Sequence, residues 1–230
     1  RDPRSLSSIV LTHAHLDHCG YLPRLVRDGF DGPVYCSPNT AELVPIILRD
    51  SAKLQEEDTA WARKKGYSRH ADPEPLYGIE DALRAIAQLQ PVEFDTDFEP
   101  VAGVTAQLDP GGHILGSSIV TVIENATGRT VVFSGDLGRG NHPLLTAPAP
   151  PPDCDAVVVE STYGDREHQD VEAEIDEMAA AITRTLKRGG SVVIPAFAVD
   201  RTEVLLKALR TLQDQQRIPI APIHVDSPMA

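Results

Sequence analysis

Residues 13–18 read His-Ala-His-Leu-Asp-His and follow directly on the apolar run Ile9-Val10-Leu11. No other feature of the chain limits its fold as strongly. His13 and His15 are two apart, so a helix would send them to different faces. A loop leaving a strand lets them converge. The pattern therefore predicts a short buried strand over residues 8–12 whose end opens into a metal-binding turn. Imidazole and carboxylate donors suit zinc, with manganese or iron as alternatives. Asp17 and His18 follow at once and can serve a second ion beside the first.

Two later stretches fit the same chemistry. "DPGGHILGSS" places His113 after a strand, in a glycine-rich loop. "VVFSGDLGR" places Asp136 after a strongly apolar strand. His13, His15, Asp17, His18, His113 and Asp136 then all leave strand ends. A two-metal hydrolytic site needs such a set, with ions about 3.5–4 Å apart and a carboxylate able to bridge them. A chance histidine-rich turn would leave both later stretches unexplained. Ser117 and Ser118 fit hydrogen bonding around the His113 loop better than nucleophilic attack.

The remaining pattern is α/β. Leu22, Leu25 and Val26 recur at helical spacing, and Gly29 is a good stop. "GPVYC" reads as a second strand. Ser37–Pro38 opens a long helical stretch as cap and first-turn proline, and Pro45 is expected to split it in two. A helix covers "GIEDALRAIAQL". From residue 92 the period changes to strands: "VEFD", "VTAQLD", "SIVTVIE" and "TVVFSGD", with "NATG" as a hairpin turn. "PAPPPDCD" is a stiff connector. "AVVVE" is expected to be a buried strand because it is continuously apolar. A helix over about 170–188, a strand "SVVIP", a helix "RTEVLLKALRTL" and a strand "IHVD" complete the series.

Composition narrows the class further. The 230 residues suffice for one ordinary domain or one and a part. Hydrophobic residues make up 41%, which fits a packed core. No apolar run reaches the roughly 18 residues a membrane helix needs. "RDPRSLSS" carries neither a hydrophobic signal segment nor a starting Met, so a cytoplasmic chain cut from something longer is expected. The net charge of −13 disfavours a general nucleic-acid binder, although a bound metal cluster reverses charge locally. Cys19, Cys36 and Cys154 are odd in number and widely spaced, which implies neither a disulfide framework nor a paired-cysteine zinc site. Cys19 is expected to be a small packing residue. Trp61, Arg63, Lys64, Lys65, Tyr67 and Arg69 mix aromatic and basic groups that can touch RNA. A solvated helix end with a basic C-terminus explains them as well, and is favoured. His70, His142 and His224 read as structural or exposed.

"HAHLDH", "GHILGS" and "SGDLGR", in this order, resemble the metallo-β-lactamase fold superfamily. "ESTYGDREH", "GGSVVIPAFAVDRTEVLL" and "IHVDSPMA" are similar to its β-CASP branch of RNA-processing nucleases. The resemblance runs along nearly the whole chain. It implies an αββα sandwich over residues 1–168, missing its first and last strands, and the beginning of an α/β β-CASP domain over 169–230. It implies that His13, His15 and His113 bind one zinc, that Asp17 and His18 bind a second, and that Asp136 bridges them. Glu160 matches an acidic residue that orients a histidine near the leaving oxygen. His168 is expected to line the substrate cleft. The branch carries a further histidine ligand beyond "DSPMA", so the segment is expected to be short of a ligand at the second site and inactive alone.

The activity expected of the whole protein is hydrolysis of RNA phosphodiesters by a two-zinc site, with single-stranded RNA as partner. A homodimer or an RNA-processing complex is the expected assembly. Asp17 can accept a proton from the attacking water or serve only as a ligand. The alternatives are a non-catalytic subunit of an RNA-processing assembly, or a DNA-directed or small-molecule hydrolase of the same superfamily. The intact donor set favours the enzyme.

Overall fold

The computed structural model describes residues 2–165 and 171–229. The chain separates into two compact units, Arg1–Glu160 and Ser161–Ala230. No helix among the described residues is long and apolar enough to cross a membrane.

The first unit holds two sheets. Strands β1 (Ile9–Val10), β2 (Val34–Cys36) and β3 (Leu89–Pro91) form a parallel sheet in that order. Strands β4 (Phe98–Val101), β5 (Val104–Pro110), β6 (Ser118–Glu124) and β7 (Thr130–Phe133) pair antiparallel in sequence order. β8 (Ala156–Val158) adds to β7 in parallel. Parallel neighbours need crossovers, and helices supply them in the first sheet. These are α1 (Leu16–Cys19), α2 (Leu22–Arg27), α3 (Pro38–Lys65) and α4 (Ile79–Ile86). The fold is mixed α/β, as expected.

Helix α3 departs from expectation, for Pro45 does not divide it. The proline forfeits one backbone bond, yet Thr40, Val44, Leu48 and Ala52 are all buried on both sides of it. Spaced four apart, they form one buried stripe, apolar at Val44, Leu48 and Ala52, that holds the two halves in line. The helix runs about 42 Å at 1.5 Å per residue. Its last turn carries Arg63, Lys64 and Lys65, complementing the negative end of the dipole. The Lys65 ammonium lies 4.9 Å from the Trp61 ring centroid, a cation–π contact.

The start of α3 reaches across to the second sheet. Ser37 Oγ accepts from Thr40 N–H and donates to the Gly116 carbonyl at 2.6 Å. Thr40 Oγ1 donates to the same carbonyl at 2.8 Å, and both side chains are fully buried. A side chain at Gly116 would meet Thr40 N at 2.5 Å, and its φ of +80° also requires glycine. Ser37→Ala removes a cap and the shortest of three side-chain donors to a buried carbonyl, Ser118 Oγ supplying the third at 3.2 Å. It is expected to lower stability by about 1–2 kcal/mol in chemical denaturation. A change under about 0.3 kcal/mol would show the cap to be idle.

Four strand expectations change, one in position, one in burial and two in kind. Residues 92–95 are irregular, and the strand lies just earlier, at Leu89–Pro91, because β2 offers its pairing edge there. "AVVVE" forms β8 but is not buried: Val157, Val158 and Val159 are 54%, 55% and 61% exposed. Among the described residues β8 is the edge of its sheet, paired only through β7, so continuous apolarity did not mean cover on both faces. "SVVIP" and "IHVD" form no strand among the described residues. Neither finds a strand partner there, and a lone strand leaves its backbone groups unpaired.

The second unit, in its described residues, contains α5 (Val171–Lys187) and α6 (Arg201–Asp214). They pack through Ala179, Ile182, Leu212 and Ile218.

Candidate metal centre

The turn after β1 explains how the first histidines meet. His15 is extended (φ −61°, ψ 145°) and caps α1, and its carbonyl accepts from His18 N–H at 3.0 Å. This single turn folds His18 back toward His13, with ring centroids 4.0 Å apart. Cys19 packs beneath, fully buried, its thiol directed at the Ala14 carbonyl. Burial pushes that thiol up to about 12, so Cys19 stays a neutral packing group.

The His113 loop is held from within. Ser117 Oγ accepts from the N–H groups of His113 (2.9 Å) and Ile114 (3.3 Å). Gly111 N–H donates to the Ser117 carbonyl at 2.7 Å. The Asp136 loop abuts this one, since Gly138 N–H donates to the Gly111 carbonyl at 2.9 Å.

His13, His15, His113 and Asp136 converge, each offering a donor atom within 4.8 Å of the others. His113 Nε2 lies 3.1 Å from His15 Nδ1 and 3.5 Å from Asp136 Oδ2. His13 Nε2 lies 3.7 Å from the same oxygen. Ligands about 2.0–2.1 Å from a tetrahedral zinc sit about 3.4 Å from one another, which these separations match. His13 Nε2 is buried with no hydrogen-bond partner. A buried polar atom without a partner is costly, and a cation among these four groups satisfies it. The donor set therefore fits a divalent metal.

Electrostatics keep the donors in ligand form. Burial, reinforced by His18, His15 and His113, lowers His13 to about 2. Burial followed by His113 also lowers His15, against the pull of Asp17 and Asp136. Both imidazoles are neutral, with lone pairs available.

Asp17 and His18 lie outside the four-residue group. His18 Nε2 is 3.3 Å from Asp136 Oδ1, the oxygen turned away from His13. It is 3.6 Å from Asp17 Oδ2, and the Asp17 side chain is 79% exposed. Asp136 thus faces His13 and His113 with one oxygen and His18 with the other. Glu160 is set apart: its Oε1 accepts from Leu137 N–H at 2.6 Å. His168 lies outside the described residues. His142 is bound locally, its Nδ1 accepting from Leu144 and Leu145 N–H.

Sequence reasoning missed Thr12, whose Oγ1 lies 3.1 Å from His13 Nδ1. Its place immediately before His13 was the available signal. It also missed the grip of Ser37 and Thr40 on Gly116, for which the sequence carries none.

A model of the metallo-beta-lactamase superfamily matches residues 1–214. The chain is 38% identical over 229 residues to Ribonuclease TTHA0252 of Thermus thermophilus, covering all of this chain and 48% of that protein. It is 33% identical over 230 residues to Transcription termination factor FttA of Methanothermobacter thermautotrophicus, covering 96% of this chain and 33% of that one. The factor of the same name from Pyrococcus abyssi is 33% identical over 227 residues, with the same two shares. The chain thus spans about half the length of the first relative and a third of the others.

Proposed function

Since the chain belongs to the metallo-beta-lactamase superfamily, we propose that it forms the metal-binding part of a β-CASP ribonuclease that hydrolyses single-stranded RNA. The convergence of His13, His15, His113 and Asp136 around the partnerless His13 Nε2 carries this reading. The similarity to a ribonuclease along the full chain supports the choice of substrate.

In this reading His13, His15 and His113 hold one zinc, Asp17 and His18 contribute to a second, and Asp136 faces both. Manganese or iron would suit the same donors. When bound, such ions lower the pKa of water from 15.7 to about 7 and offset charge on the phosphoryl oxygens. Thr12 Oγ1 lies 3.1 Å from His13 Nδ1, and in the tautomer whose Nδ1–H donates to it the Nε2 lone pair is left for coordination. Asp136 supplies the negative charge that imidazole donors cannot. Asp17, open to solvent beside His18, would serve as a ligand or take a proton from the attacking water at a carboxylate oxygen.

The donor set favours the enzyme over a non-catalytic subunit, which would have no use for His13, His15, His113 and Asp136 at ligand separations. The intact protein is expected to carry close to two transition-metal ions per chain by elemental analysis. It should cleave a labelled single-stranded RNA, lose that activity on chelation and recover it with added zinc. Cleavage unchanged after chelation, or no metal uptake, would refute the proposal. Faster cleavage of the matching single-stranded DNA would move the substrate to DNA.

A further inference from the structure

Asp136 is flanked by two backbone anchors. Both involve the segment that ends β8. Glu160 Oε1 accepts from the N–H of Leu137, the residue after Asp136, at 2.6 Å. Ser134 Oγ accepts from Glu160 N–H at 3.1 Å and donates to the carbonyl of Gly135, the residue before Asp136, at 2.6 Å. Ser134 N–H donates to the Val158 carbonyl at 2.9 Å, which continues the β7–β8 pairing. Ser134 is buried, so water does not compete for its hydroxyl. A carboxylate accepting from a backbone N–H makes a charge-assisted bond, roughly twice as strong as a neutral one.

We propose that Glu160 and Ser134 are a latch that positions Asp136 for the metal centre, Glu160 gripping the peptide after it and Ser134 the peptide before it. The proposal rests on the metal-centre reading above. It gives Glu160 a different task from orienting a histidine near the leaving group. One oxygen of Glu160 is committed to the Asp136 loop, and Ser134, the first residue of "SGDLGR", shares the work. Groups that hold a ligand in place govern how well it binds, and their loss typically lowers metal affinity about 10–100-fold.

The test measures zinc affinity by competition with a chromogenic chelator, using the intact protein. Glu160→Ala should weaken binding about 10–100-fold. Glu160→Gln, whose amide oxygen can still accept from Leu137 N–H, should stay within a few-fold of the parent. Ser134→Ala should also weaken binding, and it decides the matter alone if Glu160→Ala does not fold. Thermal unfolding of each variant without metal separates loss of the latch from loss of the fold. Parent-like affinity in both alanine variants would overturn the latch while leaving the metal centre intact. Weakening by Glu160→Gln equal to that by Glu160→Ala would overturn the hydrogen bond as its basis. A parent that binds no divalent ion would overturn the metal-centre reading itself, and the latch with it.

Discussion

Asp136→Ala is expected to reduce RNA cleavage by the intact protein at least about a thousandfold, equivalent to about 4 kcal/mol at 1.36 kcal/mol per factor of ten. The expectation follows from what the carboxylate faces. Its Oδ2 lies 3.5 Å from His113 Nε2 and 3.7 Å from His13 Nε2, and its Oδ1 lies 3.3 Å from His18 Nε2. Removing it deletes a donor on both sides at once. It also deletes the only negative charge among the four convergent groups. Metal content should fall together with activity. Asp136→Asn is the sharper control, since it keeps the volume and one oxygen but not the charge. Cleavage by Asp136→Ala within a few-fold of the parent would remove this residue from the site. Retained folding should accompany the loss, because Asp136 is a partly exposed loop residue after β7.

Gly138→Ala is expected to be the most damaging single-methyl change in the first unit. A Cβ there would stand 1.6 Å from the Gly112 carbonyl oxygen and 2.6 Å from His113 N. Backbone cannot swing aside as a flexible side chain does, so the two loops must separate. Separation breaks the Gly138–Gly111 hydrogen bond and carries His113 away from Asp136. Overpacking costs about 1–3 kcal/mol where side chains can yield. Here we expect about 3 kcal/mol or more, with weakened metal binding as a second symptom. Gly140→Ala, two residues on, meets nothing within 4 Å and should be neutral. Thermal unfolding and zinc titration of both variants check this. A Gly138→Ala protein that melts with the parent would mean that the loops part without cost.

The convergent donors could be read from residue type alone, because imidazole and carboxylate groups at successive strand ends have few other uses. What was illegible is how tightly each is held. Nothing near Ser37 announces that it will bond to Gly116, since that contact depends on where α3 meets the second sheet. The antiparallel strands β5, β6 and β7 were legible because alternation and the "NATG" turn are local signals. Pro45 misled because a local rule about proline was outweighed by burial of Val44 and Leu48 around it. Val157–Val159 misled in the opposite sense: hydrophobicity reports what a strand tolerates, and only neighbours decide whether it is covered.

The donors also come from two separate sheets. His13 and His15 follow β1 of the parallel sheet, and His113 and Asp136 follow β5 and β7 of the other. No strand is shared between these sheets, so an ion gripped by both acts as a removable cross-link between them. Such an ion would pin position 13 to position 136 in the folded chain only and would stabilise that state by RT ln(1 + [M]/Kd), about 2.7 kcal/mol when free metal is a hundred times Kd. Metal supply would then set how much of this unit stays folded, as well as how fast it works.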